Sequence, residues 1–327
     1  MVAQHAGVSA TTVSHALSGR RPVSEATRAK VRAAAEELGY RPNKIASSLR
    51  TQKSLTSALI IPDITNPFYP EVARGVQDLL GVHGYQLYVC NTDSSQSLER
   101  SFLSDSLDRR VDGIVLAPSS SDVLEGLQGT DVPVVLLTAM GTSAARSSTR
   151  GFDVVHSDDE RGMELVVTYL VQQGHRHVGF INGDGGPAGR REAGFRRTML
   201  AAGLKVPDDF AVSGPFTRAG GVDGMTQLLS RRRKLTAVVC ANDLIAIGAL
   251  DVAHKRGIAV PSALAIVGFD DIEAASLVSP PLTTVVNPAR EIGHACARLL
   301  LDRMTEEYLG RPREVVVANT LVCRESA

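Results

Sequence analysis

Residues 7–19 read GVSATTVSHALSG, a stretch short of the apolar residues a core needs. Ser9 is placed to cap a helix, its hydroxyl accepting from an exposed amide of the first turn, and Gly19 is placed to end it. On helical spacing Val8, Val13 and Leu17 fall inward, whereas Ala10, Thr11, Ser14 and His15 fall outward. Small hydroxylated side chains let a helix approach base edges closely, and an imidazole can donate to guanine N7 or O6. A short helix over Val2 to Ala6 ends at Gly7, so the order is helix, glycine turn, helix. A third helix follows Ser24, carries Val31, Ala34, Ala35 and Leu38 on one face and ends at Gly39. The unit is either a helix-turn-helix that turns Ala10, Thr11, Thr12, Ser14 and His15 toward DNA, or a plain three-helix bundle.

Charge bears on that choice. The whole chain balances 35 basic against 35 acidic residues, but residues 1–55 hold nine lysines and arginines against three glutamates. A basic head on an acidic body fits a nucleic-acid-binding module joined to something else, with a solvated helical surface as the alternative on charge alone. At 327 residues the chain has room for two or three domains. Its four cysteines, Cys90, Cys240, Cys296 and Cys323, form no CxxC pair; without a signal peptide they read as thiols of a reducing cytoplasm. No apolar run approaches the roughly 18–20 residues that span a bilayer.

After residue 56 the pattern changes. Apolar runs such as SALIIP (57–62), DGIVLAP (112–118), VPVVLLT (132–138) and AVVCAND (237–243) alternate with helical stretches. Continuous Val/Ile/Leu strands between helices indicate parallel sheets covered on both faces, here in two doubly wound halves. Ligands of such folds bind in the crevice at the strand carboxyl ends, expected here between the halves. The GDGGPA run (183–188) formally matches GxGxxA, but Pro187 and the want of an acid at the next strand end argue against a dinucleotide. GxSxG, a Walker lysine loop, HExxH and clustered Cys/His ligands are all missing from the sequence. No enzyme activity, cofactor or metal is expected.

The head VAQHAGVSATTVSHALSGRRPVSEATRAKVRAAAEELGYRPNKIASSLRT resembles that of the LacI/GalR family of bacterial transcriptional regulators. The likeness runs on through IIPDITNPFYPEVARGV, RRVDGIVLAPS, GHRHVGFI, REAGF, VVCANDLIAIGAL, IVGFDDIEAASLVSPPLTTV and LVCRES. TTVSH is similar to the purine-repressor branch, in which the histidine position reads a base. The resemblance implies a cytoplasmic, nucleoid-associated homodimer on a near-palindromic operator, controlled by a small molecule, with a sugar or sugar derivative as the default and repression as the expected outcome. It also implies that PNKIASSLRT becomes a hinge helix on DNA. Leu49, with no core to join, suits a minor-groove wedge, Ala46 a close approach, and Lys44 and Arg50 phosphate contacts.

In the core the resemblance implies a fold like that of periplasmic sugar-binding proteins. Phe68 and Tyr69 would line the cleft mouth, Arg191 would donate to the effector and Phe216 would stack on it. Asn242 and Asp270 would bind its hydroxyls or amines; from the residues alone these two could instead cap helices, and Phe216 could be core. The expected divisions are a DNA-binding domain at 1–42, a hinge at 43–55 and a core at 56–327. Within the core one half spans 56–152 and 287–311, the other 153–286 and 312–327. The loop at 183–189 is shorter than in the purine repressor, and Thr138 stands where sugar-responsive relatives often carry Asp. Relatives carry a few more residues before the first helix, so either the start lies upstream of Met1 or the head is frayed. No heptad tail follows Ala327, so no tail-mediated tetramer is expected. The rival class is a non-enzymatic small-molecule binding protein of the periplasmic fold with a degenerate head.

Overall fold

The computed structural model describes residues 1–18, 21–40, 53–127, 129–138, 149, 151–185, 187–231 and 234–327. The chain divides into two compact units, Met1–Ser54 and Leu55–Ala327.

The first unit contains α1 (Val2–His5), α2 (Ala10–Ser18) and α3 (Glu25–Glu37). Ser9 Oγ accepts from the Thr12 amide at 3.1 Å, and Ser24 Oγ does the same for Thr27 at 3.2 Å, so each longer helix begins at a side-chain cap. α3 closes where Gly39 takes φ 60°, a left-handed turn that a residue with a Cβ adopts only at a cost. Val2, Val13, Ala16, Val31, Ala34 and Ala35 are buried together, with Val8 and Leu17 against them. Leu38, expected on the inner face, is exposed, because the helix ends one residue before it.

The second unit holds two six-stranded sheets among the described residues. The first is built from β1 (Thr56–Ile61), β2 (Gln86–Asn91), β3 (Gly113–Leu116), β4 (Val134–Leu137), β5 (Asp153–Ser157) and β11 (Glu314–Val317). The second uses β6 (Val178–Gly183), β7 (Ala211–Gly214), β8 (Ala237–Cys240), β9 (Ala265–Asp270), β10 (Thr283–Val286) and β12 (Thr320–Val322). The orders, β11-β5-β4-β3-β1-β2 and β12-β10-β9-β8-β6-β7, repeat one doubly wound pattern, and β12 alone runs antiparallel to its neighbour. The α-helices of this unit include α4 (Phe68–Val82), α5 (Gln96–Asp108), α6 (Asp159–Gln172), α7 (Ala188–Ala201), α8 (Arg218–Ser230), α9 (Asp243–Lys255), α10 (Glu273–Leu277) and α11 (Ala289–Met304).

The pairings move the expected boundary between the halves. Asp153, Val154 and Val155 pair with β4, and β5 in turn pairs with β11, so 153–157 and 314–317 both belong to the first sheet. The chain therefore crosses after Ser157 rather than after 152, again around Asn287, and finally between Val317 and Thr320 rather than after 311. Buried salt links fix this arrangement. Asp153 receives Arg303 and Arg313, each at 2.9 Å, and so ties β5 to the end of α11 and the start of β11. Asn319, on the third crossing, donates to Val286 O at 3.0 Å.

Among the described residues no helix is long and apolar enough to cross a membrane, and no group of side chains is arranged to hold a metal ion. Cys240 and Cys296 are buried, Cys90 is half-buried and Cys323 is exposed; burial pushes the Cys296 thiol up to about 12.

Candidate functional site

The strand carboxyl ends of both halves open on one cavity of about 510 Å³. The first half contributes Asp63 after β1, Ser119 after β3, Thr138 after β4 and Ser157 at the end of β5; the second contributes Asp184 after β6, Phe216 after β7, Asp270 at the end of β9 and Asn287 after β10. In both sheets the strand order reverses beside the first strand, and a crevice opens at such a reversal.

Arg191, on the first turn of α7, forms the charged floor of the second half. Its Nε donates to Asp159 Oδ1 at 2.9 Å, Nη1 to Ala241 O at 2.5 Å and Nη2 to Asp270 Oδ1 at 3.3 Å. The guanidinium lies 3.7 Å from the centroid of Phe269, a cation–π contact in a dry setting. Burial disfavours the charge on Arg191, but Asp159 and Asp270 outweigh it and leave its pKa raised. Asp270 is pushed up by burial, with the Arg191 charge opposing. Its φ is 111° and that of Asp271 is 55°, a strained pair of non-glycine residues at the end of β9. Asp243 supports that turn from beneath, its Oδ2 accepting from the Ile272 amide at 2.9 Å and its Oδ1 from Thr284 Oγ1 at 2.5 Å.

The aromatic wall has a backbone cause. A Cβ on Gly183 would stand 2.1 Å from Phe216 Cε2, so the last residue of β6 must lack a side chain for that ring to lie where it does. Across the cavity Phe68 and Tyr69 meet edge to face, with centroids 5.2 Å apart, at the start of α4. Asn66 Oδ1 accepts from the Phe68 amide at 3.1 Å and fixes that entry. Burial, and next the Asp270 charge, raise the Tyr69 phenol. Behind Ser119, the buried Glu99 carboxylate accepts from both the amide and the hydroxyl of that serine.

Five of the six core residues singled out from sequence, Phe68, Tyr69, Arg191, Phe216 and Asp270, therefore line one cavity. Asn242 does not. It caps α9, accepting from the Ile245 amide at 2.9 Å, and donates to Phe216 O at 3.4 Å, so it acts on the wall from outside. Sequence reading missed Asp159, Asn287, His156 and Asp63. Each stands at or just past the end of a strand, and that positional rule is the signal that could have found them.

In the head, Ala10 and Thr11 are exposed, while Thr12, Ser14 and His15 are half-buried. The Thr12 hydroxyl lies 2.9 Å from Ser9 Oγ and shares in the cap. Lys44, Ala46, Leu49 and Arg50 lie outside the described residues.

Residues 2–43 match the family model of bacterial regulatory proteins, lacI family, and residues 167–327 match that of a periplasmic binding protein-like domain. The ribose operon repressor of Escherichia coli (strain K12) is 36% identical over 314 residues, 95% of this chain and 94% of that protein. A solved complex of the transcriptional regulator CelR with cellobiose superposes with a TM-score of 0.77 at 33% identity, covering 100% of this chain and 98% of that one. The lac repressor dimer bound to operator and the anti-inducer ONPF gives a TM-score of 0.88 at 25% identity, covering 99% and 97%.

Proposed function

The chain belongs to the LacI family of bacterial regulatory proteins, DNA-binding transcription regulators under small-molecule control and not enzymes, and from that premise we propose a homodimeric repressor whose effector is a sugar or sugar derivative. The observation that carries the ligand side is the cavity in which buried Arg191, Asp159 and Asp270 lie opposite Phe68 and Tyr69. Carboxylates and a guanidinium satisfy hydroxyls, and aromatic faces take the apolar side of a sugar ring. The ribose and cellobiose named for two relatives agree with that chemistry.

On the DNA side, α2 supplies Ala10, Thr11, Thr12, Ser14 and His15 to the major groove, with His15 reading a purine. Lys44, Ala46, Leu49 and Arg50 follow as hinge residues, Leu49 wedging the centre of the site. Arg191, Asp270, Phe216, Phe68 and Tyr69 hold the effector; Asn242 holds Phe216 through its carbonyl. Two copies place two recognition helices about one duplex turn apart on a near-palindrome. β2 is the edge of the first sheet and exposes Tyr88 and Val89, a surface suited to a second copy. Such a protein works in the bacterial cytoplasm, on the nucleoid when bound. The effector shifts operator affinity only by binding one arrangement of the halves better than the other.

Selection of bound sequences from random DNA at one stated salt concentration tests the reading. The expected product is a palindrome of roughly 16–20 base pairs, two half-sites a duplex turn apart. The anisotropy of that DNA with the protein should then change as sugars are added. Selection of no motif, with and without sugars, would remove the regulator reading.

A further inference from the structure

The described lining of the cavity is acidic, and its one arginine is already engaged. Asp63, Asp159, Asp184 and Asp270 line it, and among its described lining residues Arg191 is the sole lysine or arginine. The Arg191 guanidinium is committed to two carboxylates and a carbonyl, with the Phe269 ring against its face. Among the described lining residues an incoming phosphate or carboxylate would meet four carboxylates and one guanidinium that already serves two of them, a repulsion that a neutral group does not meet.

Two further atoms say what the cavity asks for. Asp159 and Asn287 are 0% and 4% exposed, both line the cavity, and Asp159 Oδ2 and Asn287 Oδ1 accept no hydrogen bond from the described residues. Both are acceptors. Asn287 turns its amide nitrogen to Asp270 Oδ1 at 3.0 Å, which leaves its oxygen as the open atom. A buried acceptor left unsatisfied is costly, and a donor placed there removes that cost. The two residues also stand at the first and second crossings between the sheets, so a molecule that donates to both bridges two of the crossing segments.

We propose that the effector is an uncharged, unphosphorylated sugar whose hydroxyls donate to Asp159 Oδ2 and Asn287 Oδ1, and that the cavity rejects the phosphate ester and the acid of the same sugar. This rests on the reading of the cavity as the effector site. The discriminating residue is Asp159, because its second oxygen is a buried carboxylate acceptor with no partner among the described residues.

The test is calorimetric titration of the full-length chain with matched pairs: ribose and ribose 5-phosphate, glucose and glucose 6-phosphate, cellobiose and cellobionate. At least one uncharged sugar should bind, its charged counterpart about 100-fold more weakly, which corresponds to about 2.7 kcal/mol. Asp159→Asn keeps the oxygen that Arg191 uses; it should weaken the uncharged sugar about tenfold and narrow the gap to the charged form, on the scale of one charge-assisted hydrogen bond. Circular dichroism of the variant confirms that it is folded, and the wild-type pairs stand as a test without it. Tighter binding of a phosphate or acid, failure of every sugar in the panel, or unchanged affinities in folded Asp159→Asn would each overturn the proposal. Operator binding by the same preparation reports separately on the regulator: its loss with sugar selectivity intact overturns the role in transcription and leaves the ligand class standing.

Discussion

Gly183 and Phe216 make the aromatic wall a matter of one missing methyl group. Gly183→Ala puts a carbon 2.1 Å from the Phe216 ring, so the ring must swing away from β6. Effector affinity should fall about tenfold or more, the scale of a lost stacking face, while operator binding without effector is unchanged; retained affinity would take Phe216 out of the site. Two buried aspartates show how environment sets the sign of a pH effect. Burial holds the Asp243 carboxyl well above its ordinary range, against the Thr284 and Ile272 hydrogen bonds that favour ionisation. The native state then binds a proton that the unfolded chain has released, so stability falls as pH rises above about 4 toward the native value. Asp153 runs the other way. Burial raises it, but Arg303 and Arg313 outweigh burial and hold it below the ordinary range. Its stabilisation is complete above that range and is lost as pH falls through the native value. Urea unfolding at pH 5 and pH 8 should show a smaller loss for Asp243→Asn than for the wild type; parallel losses would assign the slope to another group.

At the scale of elements, the head depends on its caps more than its core. Six small or β-branched residues are buried among three helices, too little apolar surface to carry a poorly started helix. Ser24→Ala removes the acceptor of the Thr27 amide and should cost about 1 kcal/mol, seen as a lower melting temperature of the isolated residues 1–54 if that segment folds alone, or as faster amide exchange across α3 in the whole chain. Unchanged exchange would mean that packing against α1 and α2 sets the start of α3. The helices of the core were legible because their ends are chemically marked, as at Asp158 before α6 and Asn242 before α9, each of which accepts from an amide of the first turn. Strand partners were not marked. Asp153 to Ser157 reads as a strand from its Val pair, yet nothing in the segment says that its neighbours are β4 and β11 rather than β6.

Across the second unit, three crossings join two halves that repeat one winding, and two buried acceptors without a partner among the described residues stand at two of them. Ligand at 100 times its Kd adds about 2.7 kcal/mol to the unit that binds it. Protection from hydrogen exchange should rise near Asp159 and Asn287 more than in the outer strand β7; a uniform rise would separate binding from the crossings. Assembly has its own test. Val89→Arg puts a charge on the exposed edge of the first sheet and should shift sedimentation toward the monomer with the fold intact; an unchanged dimer would move the interface away from β2.

The sequence by itself determined the local chemistry. Ser9, Ser24 and the glycines after the helices set the head, alternating Val/Ile/Leu runs set the parallel sheets, and the order of motifs set the family. These are signals that near neighbours in the chain can carry, because capping and periodicity act over a few residues. Tertiary structure alone decided which sheet claims 153–157 and 314–317, and that Asp159 joins Arg191 while its second oxygen has no partner among the described residues. Those outcomes depend on groups distant in the chain, as Arg191 with Asp159, 32 residues apart, and Arg313 with Asp153, 160 apart, and only the folded chain brings such groups within hydrogen-bonding distance.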